Sequence, residues 1–203
     1  SDATSLLEFA RSRWKFSALH SPMPGLKSFG LLAQDQKNSI LTSIRGECSH
    51  PSFKLKWWGS PPGQDLTGRL VGGNLTVWNT LLGTPFQPRH SQKDAILFLE
   101  DVTETLPRLD RAFRHLVDAG GFEGVRALVL GNFLSCEDAV PQVIGRLPKK
   151  FSQAQLKNPP KTWLKPLRKK YSQIEGLRRV LEPLSQELGI PVGWGVPAGH
   201  GPE

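Results

Sequence analysis

Glu100 ends an uninterrupted apolar run, Ala95-Ile96-Leu97-Phe98-Leu99, and is followed at once by Asp101. Groups that do chemistry in α/β proteins often stand where a buried strand gives way to a loop, and a carboxylate there could orient a base or act as one. A solvated strand end would show the same pattern. His200 lies in Gly199-His200-Gly201, just after a second apolar stretch. Flanking glycines let the backbone turn sharply and leave an imidazole accessible to substrate, although surface loops hold similar histidines. Ser1-Asp2 opens a helix-like segment, so the pair resembles a nucleophile elbow without its first half. In such an elbow the hydroxyl attacks and the next N–H faces an oxyanion. Gly72-Gly73-Asn74 could turn the chain tightly and present N–H groups to an anion, or simply turn it.

These residues need elements to hold them. A helix is expected from Ser1 to Ala10, capped by Ser1 or Asp2. Lys15 to His20 alternates as a short strand does, and Gln34 to Ser43 reads as a helix stopped near Gly46. Strands are predicted over Phe53–Trp58, Gly68–Asn74, Ala95–Leu99, Val125–Gly131 and Ile190–Val196. Helices are predicted over Leu75–Leu82, Thr103–Ala119 and Gln173–Leu188; the second keeps Leu106, Leu109, Phe113, Leu116 and Val117 at helical spacing. Strands alternating with helices imply an α/β fold, and 203 residues can bury a real core.

The net charge of +8 is local. Arg146 to Lys170 holds nine lysines and arginines and no acid, which leaves the remainder near neutral. This basic insert, about 146–172, carries Phe151, Trp163 and Tyr171 among its cations. It could touch phosphates and stack on bases, but Pro159-Pro160 and Pro166 favour a solvated loop, and nucleic-acid binding is the lesser reading. Cys48 and Cys136 are far apart, and neither they nor the five histidines show metal-ligand spacing. No apolar run approaches the roughly 18 residues of a membrane span.

Taken in order, five segments resemble the serine LD-carboxypeptidases, a family that includes the microcin-immunity peptidases. They are Ser1-Asp2-Ala3-Thr4-Ser5-Leu6-Leu7, then His20-Ser21-Pro22-Met23, then Gly72-Gly73-Asn74-Leu75 with Leu82-Gly83-Thr84-Pro85-Phe86. Leu97 to Glu104 with Leu109-Asp110-Arg111, and Val196-Pro197-Ala198-Gly199-His200-Gly201, complete the set. The sequence departs from the family at Ser21, where glycine is usual, and at Ala198, where phenylalanine is common.

The resemblance implies a Ser1–Glu100–His200 triad, with the backbone N–H of Asp2 in the oxyanion hole. Asp101 and Glu104 compete with Glu100 for the orienting role. A free α-amine on Ser1 serving as its own base is a weaker alternative, because Glu100 and His200 already complete a triad. Implied too are a flavodoxin-like N-terminal domain, of which residues 1–45 would be the end, and a β/α C-terminal domain over 46–203. That domain arrangement presumes that the chain is truncated before its nucleophile. The implied substrate is a murein peptide, cut at the L-to-D bond before a terminal D-alanine during cell-wall recycling. A peptidyl-nucleotide amide, as in microcin immunity, is the alternative. A homodimer, a cytoplasmic location and no metal or organic cofactor are also implied, although an export signal could precede Ser1. A pocket for a free carboxylate needs cations or N–H groups, for which Arg69, Arg108 and Arg111 are candidates.

Overall fold

The computed structural model describes residues 3–47, 52–59, 61–88, 94–136 and 173–199. Ser1, Asp2, His200, Cys48 and the basic insert lie outside the described residues.

Five strands form one sheet in the order β1-β5-β4-β3-β2. The strands are β1 (Lys56–Trp58), β2 (Arg69–Asn74), β3 (Ala95–Val102), β4 (Val125–Leu134) and β5 (Val192–Trp194). The pairs β2/β3, β3/β4 and β4/β5 are parallel, and only β1 runs antiparallel to its neighbour. Parallel neighbours need crossover connections, which is why α4 (Leu75–Thr80) follows β2 and α5 (Leu106–Asp118) follows β3. A later helix, α6 (Gln173–Leu188), precedes β5.

The core lies between the sheet and these helices. Leu97, Leu99, Leu128 and Leu130 pack against Leu75 and Trp78 of α4, Leu109, Phe113 and Leu116 of α5, and Leu177, Leu181 and Leu184 of α6. The buried faces of α5 and α6 are i, i+4 and i+7 stripes, and the shorter α4 buries an i, i+3 pair. Strand residues alternate in direction, so Phe98 and Glu100 point to the other face of β3. Both are nonetheless buried, Glu100 completely.

The N-terminal segment contributes α1 (Ala3–Trp14), α2 (Lys27–Leu31) and α3 (Gln34–Ile44). α1 runs four residues beyond its expected end, stitched by Arg11 donating to both oxygens of buried Glu8 at 2.7 and 2.5 Å. α1 packs on α4 and β2. Phe9 meets Phe86 edge-on at 5.4 Å, which ties the helix to the turn after α4.

The structure differs from the expected elements in several places. Lys15–His20 is irregular, not a strand. Alternation marks a strand only where a partner takes its hydrogen bonds, and no strand among the described residues runs beside this one. α2 escapes the sequence reading because five residues are too few to show a helical period. β1 is also shorter than its alternating pattern, starting at Lys56.

Candidate active site

β3 extends through Glu100 and Asp101 instead of stopping before them. Opposite Glu100 the pairing slips. Leu99 faces Leu130 and Asp101 faces Phe133, so Gly131 and Asn132 together oppose Glu100. Such a bulge bends the strand and re-aims side chains. Here it also seats the loop after β5: Asn132 N–H donates to Ala198 O at 2.8 Å. Gly131 comes so near the same carbonyl that a Cβ would overlap it.

That loop reaches the carboxylate. A Cβ on Gly199 would lie 2.9 Å from Glu100 Oε2 and 3.0 Å from its Cγ, so only glycine, here at φ +117°, fits without displacing Glu100. The next residue in the chain is His200.

The start of α1 converges on the same place. Asn74 is the register partner of Glu100 on the neighbouring strand. The Asn74 backbone N–H donates to Thr4 Oγ1 at 3.0 Å. Thr4 occupies the space a Gly73 side chain would need, with its Oγ1 2.7 Å from that Cβ position. The glycine-asparagine triplet is therefore a docking place for α1, and its last N–H is occupied by Thr4. Gly72, at φ +124°, is forced by close approach, since a Cβ would overlap Phe98 O on β3.

Geometry separates the competing acids. Asp101 points to the helix side and accepts four bonds. They come from Asn74 Nδ2 at 2.9 Å, Thr76 N at 3.0 Å, Thr76 Oγ1 at 2.8 Å and its own neighbour Val102 N at 2.8 Å. Asn74 Oδ1 in turn caps α4 by accepting from Val77 N at 3.0 Å. Asp101 thus anchors the N-terminus of α4, where an anion is favoured. Asp101→Ala is expected to destabilise the protein by about 3 kcal/mol, because it strands buried donors. Urea unfolding reads this directly, and a loss below about 1 kcal/mol would mean that water replaces the carboxylate. Glu104 is drawn to Arg108 across one helical turn, at 3.4 Å.

The candidate arginines are spread out. Arg69 opens β2, five residues before Asn74 and so at the opposite end of the sheet from Glu100. Arg108 and Arg111 sit on α5, on the helix-covered side. Cys136 is buried, and that burial pushes its thiol up to about 11, so it stays protonated at neutral pH. Among the described residues, no three His, Cys, Asp or Glu side chains gather as a metal site. No described helix is long and apolar enough to cross a membrane. A recess of about 720 Å³ opens between β1, β5 and α6, lined by Trp57, Trp58 and Trp194, but β5 and β4 separate β1 from the Glu100 strand.

Sequence reasoning singled out Glu100, the glycine-asparagine turn and the histidine loop, and the structure brings Glu100, Asn74 and Gly199 together. It missed Thr4, Asn132 and the approach of His20 Nε2 to 4.0 Å from Glu100 Oε1. A threonine three residues into the first motif was the one available signal for Thr4.

A mostly parallel sheet that carries a buried carboxylate near the C-terminal end of β3, met there by the loop after β5 and, through Asn74, by the start of α1, defines an α/β protein. The model of the LD-carboxypeptidase C-terminal domain matches residues 67–203, and the chain belongs to that family. A Rickettsia prowazekii protein provisionally named a carboxypeptidase is 43% identical over 152 residues, covering 71% of this chain and 46% of that protein. The chain spans about half the length of the curated relatives it matches. Among solved structures, muramoyltetrapeptide carboxypeptidase from Oxalobacter formigenes aligns with a TM-score of 0.51 at 28% identity, over 85% of this chain and 47% of that one. Microcin C7 self immunity protein MccF shares the fold over 97% of this chain and 56% of its own, with a TM-score of 0.59 at 20% identity.

Proposed function

We propose that the full-length protein is a serine LD-carboxypeptidase that releases terminal D-alanine from murein tetrapeptide, with Ser1, Glu100 and His200 as its triad. The carrying observation is Gly199 packed on Oε2 of the fully buried Glu100. Consecutive Cα atoms stand about 3.8 Å apart, so this contact favours an imidazole at His200 within reach of the carboxylate. Ser1 is at most about 11 Å of extended chain from Thr4, which is bonded beside Glu100's register partner.

In this reading Ser1 Oγ attacks the scissile carbonyl as His200 takes its proton. The proton then passes to the leaving amine of D-alanine, and water hydrolyses the acyl-enzyme by the same relay. Glu100 orients His200 and stabilises its imidazolium, while the Asp2 N–H is one oxyanion donor. A murein peptide substrate, a role in wall recycling in the cytoplasm and a homodimer belong to the same proposal. It is supported by the family and by the Oxalobacter relative.

The test is mass spectrometry of murein tetrapeptide incubated with the full-length protein and with His200→Ala. Release of D-alanine is expected from wild type, falling by about 10⁴-fold or more in the variant. A folded wild-type protein that releases none would overturn the murein reading and bring peptidyl-nucleotide amides forward.

A further inference from the structure

The two oxygens of Glu100 face different segments of the chain. Oε2 lies against Gly199. Oε1 lies 4.0 Å from Nε2 of His20, whose side chain is one-third exposed while the carboxylate is wholly buried. The His20 ring stands edge-on to Phe98, with centroids 5.8 Å apart and planes at 64°. Phe98 and Glu100 are two residues apart on one face of β3, so a single loop residue covers both.

We propose that His20 is a positioning residue: its imidazole holds Oε1 of Glu100 and so sets the plane in which Oε2 meets the histidine loop. This rests on Glu100 being the orienting carboxylate of the proposed site. The physical need is specific. The last side-chain torsion of a glutamate is broad and two-fold, so packing of Cβ and Cγ alone does not set the carboxylate plane. A donor at one oxygen fixes that plane for the other. The 4.0 Å separation exceeds a direct hydrogen bond. Catalytic hydrogen bonds are commonly long without substrate and tighten when it binds. His20 sits on an irregular segment, outside every helix and strand, where a short closing movement deforms no hydrogen-bonded ladder.

The experiment uses the full-length protein and four variants: His20→Ala, His20→Gln, Glu100→Gln and the double variant His20→Ala/Glu100→Gln. Two rates are read, D-alanine release from murein tetrapeptide and labelling of the nucleophilic serine by a fluorophosphonate, which tests activation independently of substrate identity. His20→Ala is expected to lower kcat by about 10²-fold, the loss typical of a misplaced catalytic group, with KM nearly unchanged. His20→Gln keeps an N–H donor and should recover most of that loss. In the Glu100→Gln background, His20→Ala should lose nothing further, because its effect passes through that carboxylate.

Equal losses in both backgrounds would indicate a merely structural contact and overturn the proposal. So would a His20→Ala protein as active as wild type while Glu100→Gln is dead; the triad reading would then survive. Complete inactivity of His20→Ala beside an active His200→Ala would make His20 the base, not its positioner. A wild-type protein that cleaves nothing yet is labelled fails only on substrate, and the labelling rates still decide the role of His20. One that is neither labelled nor active overturns the triad and this proposal together.

Discussion

Glu100→Gln is expected to reduce kcat/KM for murein tetrapeptide by about 10⁴-fold in the full-length protein while leaving it folded. Gln has the shape of Glu, and the site around this side chain is tight: the group is fully buried, and a Cβ on Gly199 would crowd its Cβ, Cγ and Oε2. Glutamine fills that space but can place an NH₂ where a carboxylate oxygen stood. A donor there favours the imidazole tautomer with its proton on the wrong nitrogen and gives no stabilisation to the imidazolium. Near-native circular dichroism and an unchanged or higher melting temperature should accompany the loss, since removing a buried charge lightens the desolvation burden. Activity within about tenfold of wild type would show that Glu100 does not orient the base. Asp101→Ala is the contrasting variant. Its oxygens are held by Asn74, Thr76 and the Val102 N–H, so its principal readout is stability.

The second large effect concerns Gly72. Gly72→Ala is expected to destabilise the protein by about 4 kcal/mol or more, at the extreme of single substitutions. Its Cβ would overlap the carbonyl oxygen of Phe98 and sit 2.8 Å from the Phe98 carbonyl carbon and 3.0 Å from its nitrogen. These are main-chain atoms of the adjacent central strand, with no flexible side chain to move aside. Relief would require β2 to part from β3, which would also displace Asn74 from Glu100. Gly83→Ala provides the comparison. Gly83 also has positive φ, +74°, but nothing lies within 4 Å of its Cβ position. Only the backbone penalty remains there, about 1–2 kcal/mol. Urea unfolding of both variants separates the two causes. Similar losses at the two positions would mean that φ alone governs Gly72 and that the strands can yield.

The acid at the end of an apolar run could be read from sequence because burial and polarity change at neighbouring residues, Leu99 and Glu100. α5 was legible for a similar reason. Leu109, Phe113 and Leu116 share one helical face, and period alone reports that. Lys15–His20 shows the limit of such patterns. The residues alternate, but alternation does not supply a partner strand, and the segment instead carries His20 to Glu100.

Local order thus determined the helices α4 to α6 and the central strands, and it marked Glu100 as an acid closing an apolar run, since capping, period and apolar runs act within a few positions. The boundaries of β3 were beyond it. Glu100 and Asp101 count as strand because β4 pairs past them. The tertiary structure alone decided which acid is which. Glu100 is turned to the loops at a bulge made by Gly131 and Asn132, whereas Asp101 is turned to α4 by Asn74, 27 residues earlier in the chain. It also decided that Gly72 must be glycine and that Thr4 meets Asn74 across 70 residues. These outcomes depend on distances between groups remote in sequence. Strand register and close packing set those distances, and no local pattern encodes them.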